Sequence, residues 1–383
     1  MSRKKIRFGI IGAGLMSREF ASAAARWCHL TGVDFEPEVV AVASRTDKSV
    51  SWFREHVPSV RLATTDWREV LACPEVEAVY VAVPHDLHAE VYAAALSAGK
   101  HLLGEKPFGI DLEANRKINE AIAAHPECFT RCVTQLAFFP GALKILGWAR
   151  EGRFGKIIEV EAGFWHSSDL DPDKAINWKR MLATNGKYGC MGDLGMHVCY
   201  LPFRLGWKPK NVRALLSNIM TERPDGAGNR VPCETWDNAI LCCEAGAPDG
   251  QTFPMTISTK RIMPGHGNSW FLNVIGTRFS AQFSTQNPKQ IRFMEYRPGG
   301  EQAWQVLDLP HASAYPTITG KIFEFNFSDA LMQMIAAYLD ELVHGEEMTG
   351  ALACATPEEV ELSHRLFTAA LESQRTGATV EIE

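Results

Sequence analysis

Residues 6–17, IRFGIIGAGLMS, constrain this chain more than any other stretch. An apolar run, FGII, breaks into a Gly-x-Gly turn and continues as SREFASAAARW, whose apolar residues recur at helical spacing. Strand, tight turn and helix start, in that order, are the context a dinucleotide-binding fingerprint requires. Gly12 permits the turn. Gly14 lets backbone N–H groups approach a pyrophosphate at the helix N-terminus, where the dipole favours anions. Ala13, Leu15 and Met16 complete the loop that would touch the dinucleotide, and the third glycine position holds Ser17. A bare Gly-x-Gly is often only a turn; its place between a β-like run and a helix favours binding.

MSRKK followed by IRFGIIGAGLM and ASAAA imitates a signal peptide. Glycines interrupt the apolar stretch, Arg18 and Glu19 follow it, and cleavage would remove the fingerprint itself. No run approaches the ~18 apolar residues of a membrane helix. The formal charge of −6 and the lack of a Lys/Arg block argue against a nucleic-acid or anionic-membrane partner. Ten cysteines are scattered without a Cys-x-x-Cys pair, which reads as reduced thiols and a cytoplasmic protein. At 383 residues the chain suits two domains better than one.

After the first helix, EPEVVAVASRT (36–46) reads as a second buried strand. An acidic residue at its end would bind the ribose 2′-hydroxyl of NAD, whereas an arginine accommodates the phosphate of NADP. Ser44 and Arg45 stand there, which tilts toward NADP; an arginine also stacks on adenine in an NAD site, so NAD or NADP stays open. AVYVAVP (78–84) is a further strand, HAEVYAAALSAGK a helix, and HLLGEKPFG a strand and turn. Strands alternating with helices predict a doubly wound α/β domain, with ligands at the carboxyl ends of the strands. Pro84, His85, His88, Glu105 and Lys106 therefore fall on the cofactor-facing edge. Farther on, KYGCMGDLGMHVCYLPFRLGW (187–207) sets Asp193 and His197 four apart, on one face of a helix beginning near Gly192. IIEVEAGFWHSS, AILCCEAG, FPMTISTKR and FLNVIGTRFSAQFS alternate as strands of an antiparallel sheet.

Taken together, GIIGAGLM, AVYVAVPHDLHAE, AGKHLLGEKPFG and MGDLGMHVCYLPFRLGW resemble the Gfo/Idh/MocA oxidoreductases over about the first 210 residues. The Glu-Lys-Pro turn and the Asp-x-x-x-His motif are specific as a set. The resemblance implies an α/β fold: an N-terminal Rossmann domain plus a C-terminal α+β domain with a large, mostly antiparallel open sheet. The boundaries drawn are 1–140 and 141–383, with closing helices over 328–345 and 356–376 as candidates to pack back on the Rossmann domain. It further implies NAD(P)-linked chemistry on a sugar, cyclitol or related polyol, and a homodimer or homotetramer through the C-terminal sheet. Gln135 falls where the family places an amide near the nicotinamide, whereas the family's frequent arginine two residues on is Ala137. Gly189-Cys190-Met191 replaces a glycine triplet, which predicts a bulkier pocket floor.

Oxidising a secondary alcohol needs a group to take the hydroxyl proton while hydride leaves the carbon. His197 fits that role because its unperturbed pKa lies near neutral. Lys106 can stabilise alkoxide character on the same oxygen, with Asp193 orienting or charge-balancing either. Alone, Lys106 would read as a turn residue and His197 as a core histidine; their joint occurrence with the fingerprint favours catalysis. A metal is not expected, since neither His85, His88 and Glu90 nor Asp193 and His197 offer three ligands at familiar spacing. Trp165, His166, Trp178, Lys179 and Arg180 are candidates for a substrate wall, although core packing and solvation explain them equally well. Three functions follow: a dehydrogenase or reductase, an NAD-retaining glycoside hydrolase working by transient oxidation, and a non-catalytic NAD(P) sensor. Lys106 and His197 argue against the sensor, and nothing in the sequence separates the first two.

Overall fold

The computed structural model describes residues 3–309, 313–320 and 322–383. The chain divides into two compact units, one of residues 1–109, 113–138 and 311–357, the other of 110–112, 139–310 and 358–383.

The first unit is built on six parallel strands: β1 (Lys4–Ile11), β2 (Phe35–Ala43), β3 (Leu62–Thr64), β4 (Ala78–Val81), β5 (His101–Gly104) and β6 (Thr130–Cys132). Their order is β3-β2-β1-β4-β5-β6. Helices cover both faces of such a sheet, so its strands are apolar without alternation. All of β4 is buried, as are Phe8 to Ile11 of β1. The order reverses between β1 and β4, which opens a crevice at their carboxyl ends. A helix from late in the sequence, Phe327–His344, completes this core: Tyr338 packs 6.1 Å from Phe8, and Asp329 pairs with Arg26 at 2.5 Å. A capping box between Asn326 and Asp329 starts that helix. The second closing helix, Pro357–Thr376, lies almost wholly in the other unit.

The second unit carries β7 (Ile157–Trp165), β8 (Lys208–Pro209), β9 (Asn211–Ser217), the separate hairpin β10 (Glu222–Pro224) and β11 (Arg230–Pro232), then β12 (Asn238–Gly246) and β13 (Thr252–Lys260). They are followed by β14 (Ser269–Gly276), β15 (Phe279–Ser284), β16 (Gln290–Glu295), β17 (Gln305–Asp308) and β18 (Val380–Glu381). The large sheet runs β17-β16-β15-β14-β7-β13-β12-β9-β18, with β8 also on β12. β7 and β13 are parallel and every other pair is antiparallel. One face is apolar by strict alternation, as in Ala239, Leu241, Cys243 and Ala245 of β12. The opposite face carries a row that follows the ladder register from Arg213 through Cys242, Thr256, Glu161, Asn273, Gln282 and Arg292 to Val306.

All ten cysteines are free thiols, seven of them buried. Among the described residues no helix is long and apolar enough to cross a membrane, and no cluster of His, Cys, Asp or Glu is placed to hold a metal.

Candidate active site

In the first unit the turn after β1 is pinched between two strand ends. Gly12 N–H donates to the Ala43 carbonyl at 2.8 Å, and Ala82 N–H to that of Ile11 at 2.8 Å. Gly12 sits at φ +93°, and a Cβ there would lie 2.2 Å from the Ala82 oxygen. Only glycine fits both demands. Ser17 is fully buried and its hydroxyl donates to the Gly12 carbonyl at 2.5 Å, so the third fingerprint position locks the turn. Gly14 differs: a Cβ on it would meet no atom within 4 Å. It begins the helix Leu15–Ala25 with no side-chain cap, leaving first-turn N–H groups for an anion. The positive-φ glycine, the open space at Gly14 and the uncapped helix start together fit a dinucleotide pyrophosphate.

Around that turn, Ser44 is half-buried and Arg45 exposed just beyond β2. Burial raises the pKa of Asp86, against opposing effects of a backbone hydrogen bond and, after it, the Arg45 charge. His88 is fully buried, stacks on Tyr92, accepts from Gly109 N–H at Nδ1 (3.3 Å), and its Nε2 lies 3.1 Å from the Val83 carbonyl. That pattern selects the neutral tautomer with the proton on Nε2, a clamp between the end of β4 and the turn after β5. Glu105 is likewise built in: its carboxylate accepts from Tyr80 (2.6 Å) and its carbonyl from Tyr92 (2.7 Å). His85 is buried 5.5 Å from His88, and Pro84 precedes the short turn that carries it. Lys106, half-buried, follows Glu105 on this braced turn. Gln135 is buried in a 3₁₀ turn after β6, next to Ala137.

In the second unit, Met191–Gly195 winds as a π-helical turn and runs directly into the helix Met196–Arg204. The helix thus starts earlier than Gly192. A π turn re-aims side chains relative to an α-helix and is common at functional sites. Gly189 permits it: at φ +57° its Cβ would lie 2.6 Å from Trp236 N. The Cys190 sulfur packs against Thr259 of β13 at 3.5 Å, and burial pushes this thiol up to about 11. Where a glycine triplet was the family expectation, the added bulk of Cys190 therefore fills the core.

Asp193 and His197 are 1% and 5% exposed. The Asp193 carboxylate meets Lys179 Nζ at 3.0 and 3.3 Å and the Arg261 guanidinium. His197 packs edge-on to Phe164, 5.7 Å between centroids, while its carbonyl accepts from Trp270 Nε1 at 2.9 Å. His166 touches the same Phe164 ring at 4.7 Å. The expected substrate wall is divided. His166 and Lys179 lie with His197 and Asp193, and Trp178 sits beside Lys179, 5.6 Å from its ammonium. Trp165 turns to the sheet's other face, donating to Ser258 at 2.9 Å beside Phe271 and His266, where a cavity of about 590 Å³ opens. Arg180 is fully buried and pairs with buried Asp237 at 3.2 Å. Arg261 escaped sequence reasoning, since the run TISTKR marks a strand end and names no partner.

The six-stranded parallel sheet with its glycine turn is a dinucleotide-binding fold. Residues 6–131 match the model of the Gfo/Idh/MocA oxidoreductase family, described as an NAD-binding Rossmann fold. Levoglucosan dehydrogenase of Pseudarthrobacter phenanthrenivorans is 26% identical over 240 residues, which are 59% of this chain and 57% of that protein. D-xylose 1-dehydrogenase (NADP(+)) of Hypocrea jecorina is 28% identical over 314 residues, 80% of this chain and 78% of the relative. The solved structure of levoglucosan dehydrogenase in complex with NADH superposes with a TM-score of 0.87 at 18% identity, covering 99% of this chain and 100% of that one.

Proposed function

We propose that this protein transfers hydride between a nicotinamide dinucleotide and a secondary hydroxyl or ketone of a carbohydrate-like molecule. The observation that carries the reading is the buried Asp193–His197 helix in a chain whose other unit bears the dinucleotide turn. The nicotinamide, when bound, takes or gives the hydride. His197 moves the hydroxyl proton, Lys106 stabilises alkoxide character on the substrate oxygen, and Asp193 holds the charge balance. Gln135 serves the nicotinamide end, and Gly12 to Met16 the pyrophosphate. Arg45 faces the adenosine ribose, so both NAD and NADP are accepted. The relatives named above are dehydrogenases, which favours net redox over redox-assisted glycosidic cleavage. The protein works in the cytoplasm as a homodimer or homotetramer joined through the C-terminal sheet.

The test is absorbance at 340 nm with NAD⁺ or NADP⁺ and a panel of aldoses, anhydrosugars and cyclitols. The expected result is carbohydrate-dependent formation of reduced cofactor. His197→Ala and Lys106→Ala should each lower kcat by about 10²–10⁴-fold with dinucleotide affinity kept, and the double variant should be little worse than the poorer single. A wild-type protein that binds neither dinucleotide and turns over no carbohydrate overturns the reading.

A further inference from the structure

Asp193 belongs to a chain of charges whose central members are buried. Arg261, one residue past β13, bridges two carboxylates: one guanidinium nitrogen reaches Asp193 and Nε reaches Asp169 at 3.1 Å. Asp169 is itself fully buried and takes Lys174 Nζ at 3.2 Å on its other oxygen. Burial alone would raise the Asp169 pKa; Arg261 and Lys174 outweigh it and hold the carboxyl below its ordinary value. The ladder reads Lys174–Asp169–Arg261–Asp193–Lys179.

Its framework is rigid. Arg261 N–H donates to the Asp237 carbonyl at 2.8 Å, and Asp169 N–H to the Arg261 carbonyl at 3.1 Å. Arg223, fully buried, donates to the carbonyls of Asp169, Asp171 (2.8 Å) and Lys174 (3.1 Å), pinning the loop that carries the far half. Both ends of the Arg261 fork are thus fixed before any ligand arrives. The planar guanidinium meets the two carboxylates through different nitrogens of one rigid fork, whereas an ammonium is a point charge on a flexible stem.

We propose that Arg261 is a positioning residue for the hydride-transfer site: it fixes and charge-balances Asp193, and through Asp193 it governs the proton transfer of His197. The proposal rests on the reading of Asp193 and His197 as the proton-transfer pair. Asp193 stands four residues before His197, and His166 meets the Phe164 ring that His197 also meets; Lys179 and Arg261 pair with Asp193. The sign follows from Coulomb's law. Without the Arg261 charge, Asp193 is less neutralised and favours the imidazolium, so the acid limb of alcohol oxidation moves to higher pH. Without the Asp169 charge, Arg261 acts on Asp193 alone and the limb moves to lower pH.

The experiment compares wild type, Arg261→Met, Arg261→Lys and Asp169→Asn. It measures the pH profile of kcat/KM, and the His197 titration by histidine C–H NMR on the dinucleotide-bound protein, with His197→Gln assigning the resonance. Arg261→Met should raise both midpoints by about one pH unit, Asp169→Asn should lower them, and Arg261→Lys should return them toward wild type. General structural damage lowers kcat without moving the midpoints in opposite directions. Midpoints that stay put in folded Arg261→Met and Asp169→Asn, or that move the same way in both, overturn the proposal. If Arg261→Met does not fold, Asp169→Asn decides by its downward shift. A wild type without carbohydrate turnover defeats the functional reading instead, and the NMR titration still decides the role of Arg261.

Discussion

Two glycines two residues apart carry different burdens. Gly12 is required by the chain itself, since its φ of +93° and the Ala82 oxygen 2.2 Å from an added Cβ leave no room for a side chain. Gly14 is open on that side, so a side chain there meets only what binds. Gly12→Ala should therefore destabilise the fold by about 2–4 kcal/mol, read as a lowered unfolding midpoint. Gly14→Val should leave the midpoint near wild type while NADH affinity, followed by fluorescence titration, falls at least about tenfold, a change of roughly 1.4 kcal/mol. Equal loss of stability in both variants would erase the distinction. This pair was legible in the sequence because the fingerprint is local. Arg261 was not, because its partners stand 92 and 68 residues away along the chain. Nothing local fixes which acids a cation will meet, so only the folded sheet brings Asp169 and Asp193 to one guanidinium.

At the scale of elements, the helix Phe327–His344 ends in a polar latch. One oxygen of Asp340 accepts from Tyr315 hydroxyl (2.8 Å), Thr349 N–H (2.8 Å) and hydroxyl (3.0 Å), and Gly350 N–H (3.1 Å). The other lies 2.7 Å from His344 Nδ1, whose Nε2 reaches Asp34 at 3.3 Å. Burial would raise Asp340; the donors, His344 and Tyr315 foremost, outweigh it and hold the carboxyl below its ordinary value. His344 is raised, chiefly by the hydrogen bond to Asp340 and further by Asp34, against the opposing effect of burial. The two therefore act in different windows. Asp340 stabilises above the ordinary carboxylate pKa, and that support fades as pH falls through its depressed folded value. His344 stabilises fully below its unfolded pKa of about 6.5 and loses that contribution as pH rises through its raised folded value. Thermal midpoints of wild type and His344→Gln should accordingly differ most near pH 6 and converge toward pH 9; a constant gap would refute the linkage. Asp340→Ala leaves several donors unmatched and should cost on the order of 3 kcal/mol. The helix itself was readable from its apolar run. The latch was not, since it joins residues of three separate loops and turns to the helix end.

The scale of the whole molecule turns on the sheet of the second unit. Its alternating strands announced a half-covered antiparallel sheet, but a two-residue period cannot say what covers the second face. The ladder register answers in part. Beside the polar row from Arg213 to Val306 runs another, Leu215–Ile240–Ser258–Gly163–Phe271–Ser284. Phe271 leans over Gly163, where a Cβ would meet its ring at 2.4 Å, and stacks edge-on to Trp165 at 4.8 Å. Leu215 and Val306 remain 58% and 57% exposed at the two ends of this face. Eight strands at about 4.8 Å spacing and some seven residues of strand length give on the order of 800 Å², the area each partner contributes to a standard interface. A two-fold related copy can also set Glu161 of one protomer against Arg292 of its partner, because such an interface is self-complementary. If a second copy covers this face, light scattering of the wild type should give two or four times the 42.5 kDa chain mass. Leu215→Glu combined with Ile240→Glu should shift it toward the single-chain mass, because charges without partners would enter a dry interface. Residues 6–131 lie outside this sheet, so dinucleotide affinity should survive in that variant. A wild type at the single-chain mass, or a double variant that stays associated, would assign this face to something other than a second copy.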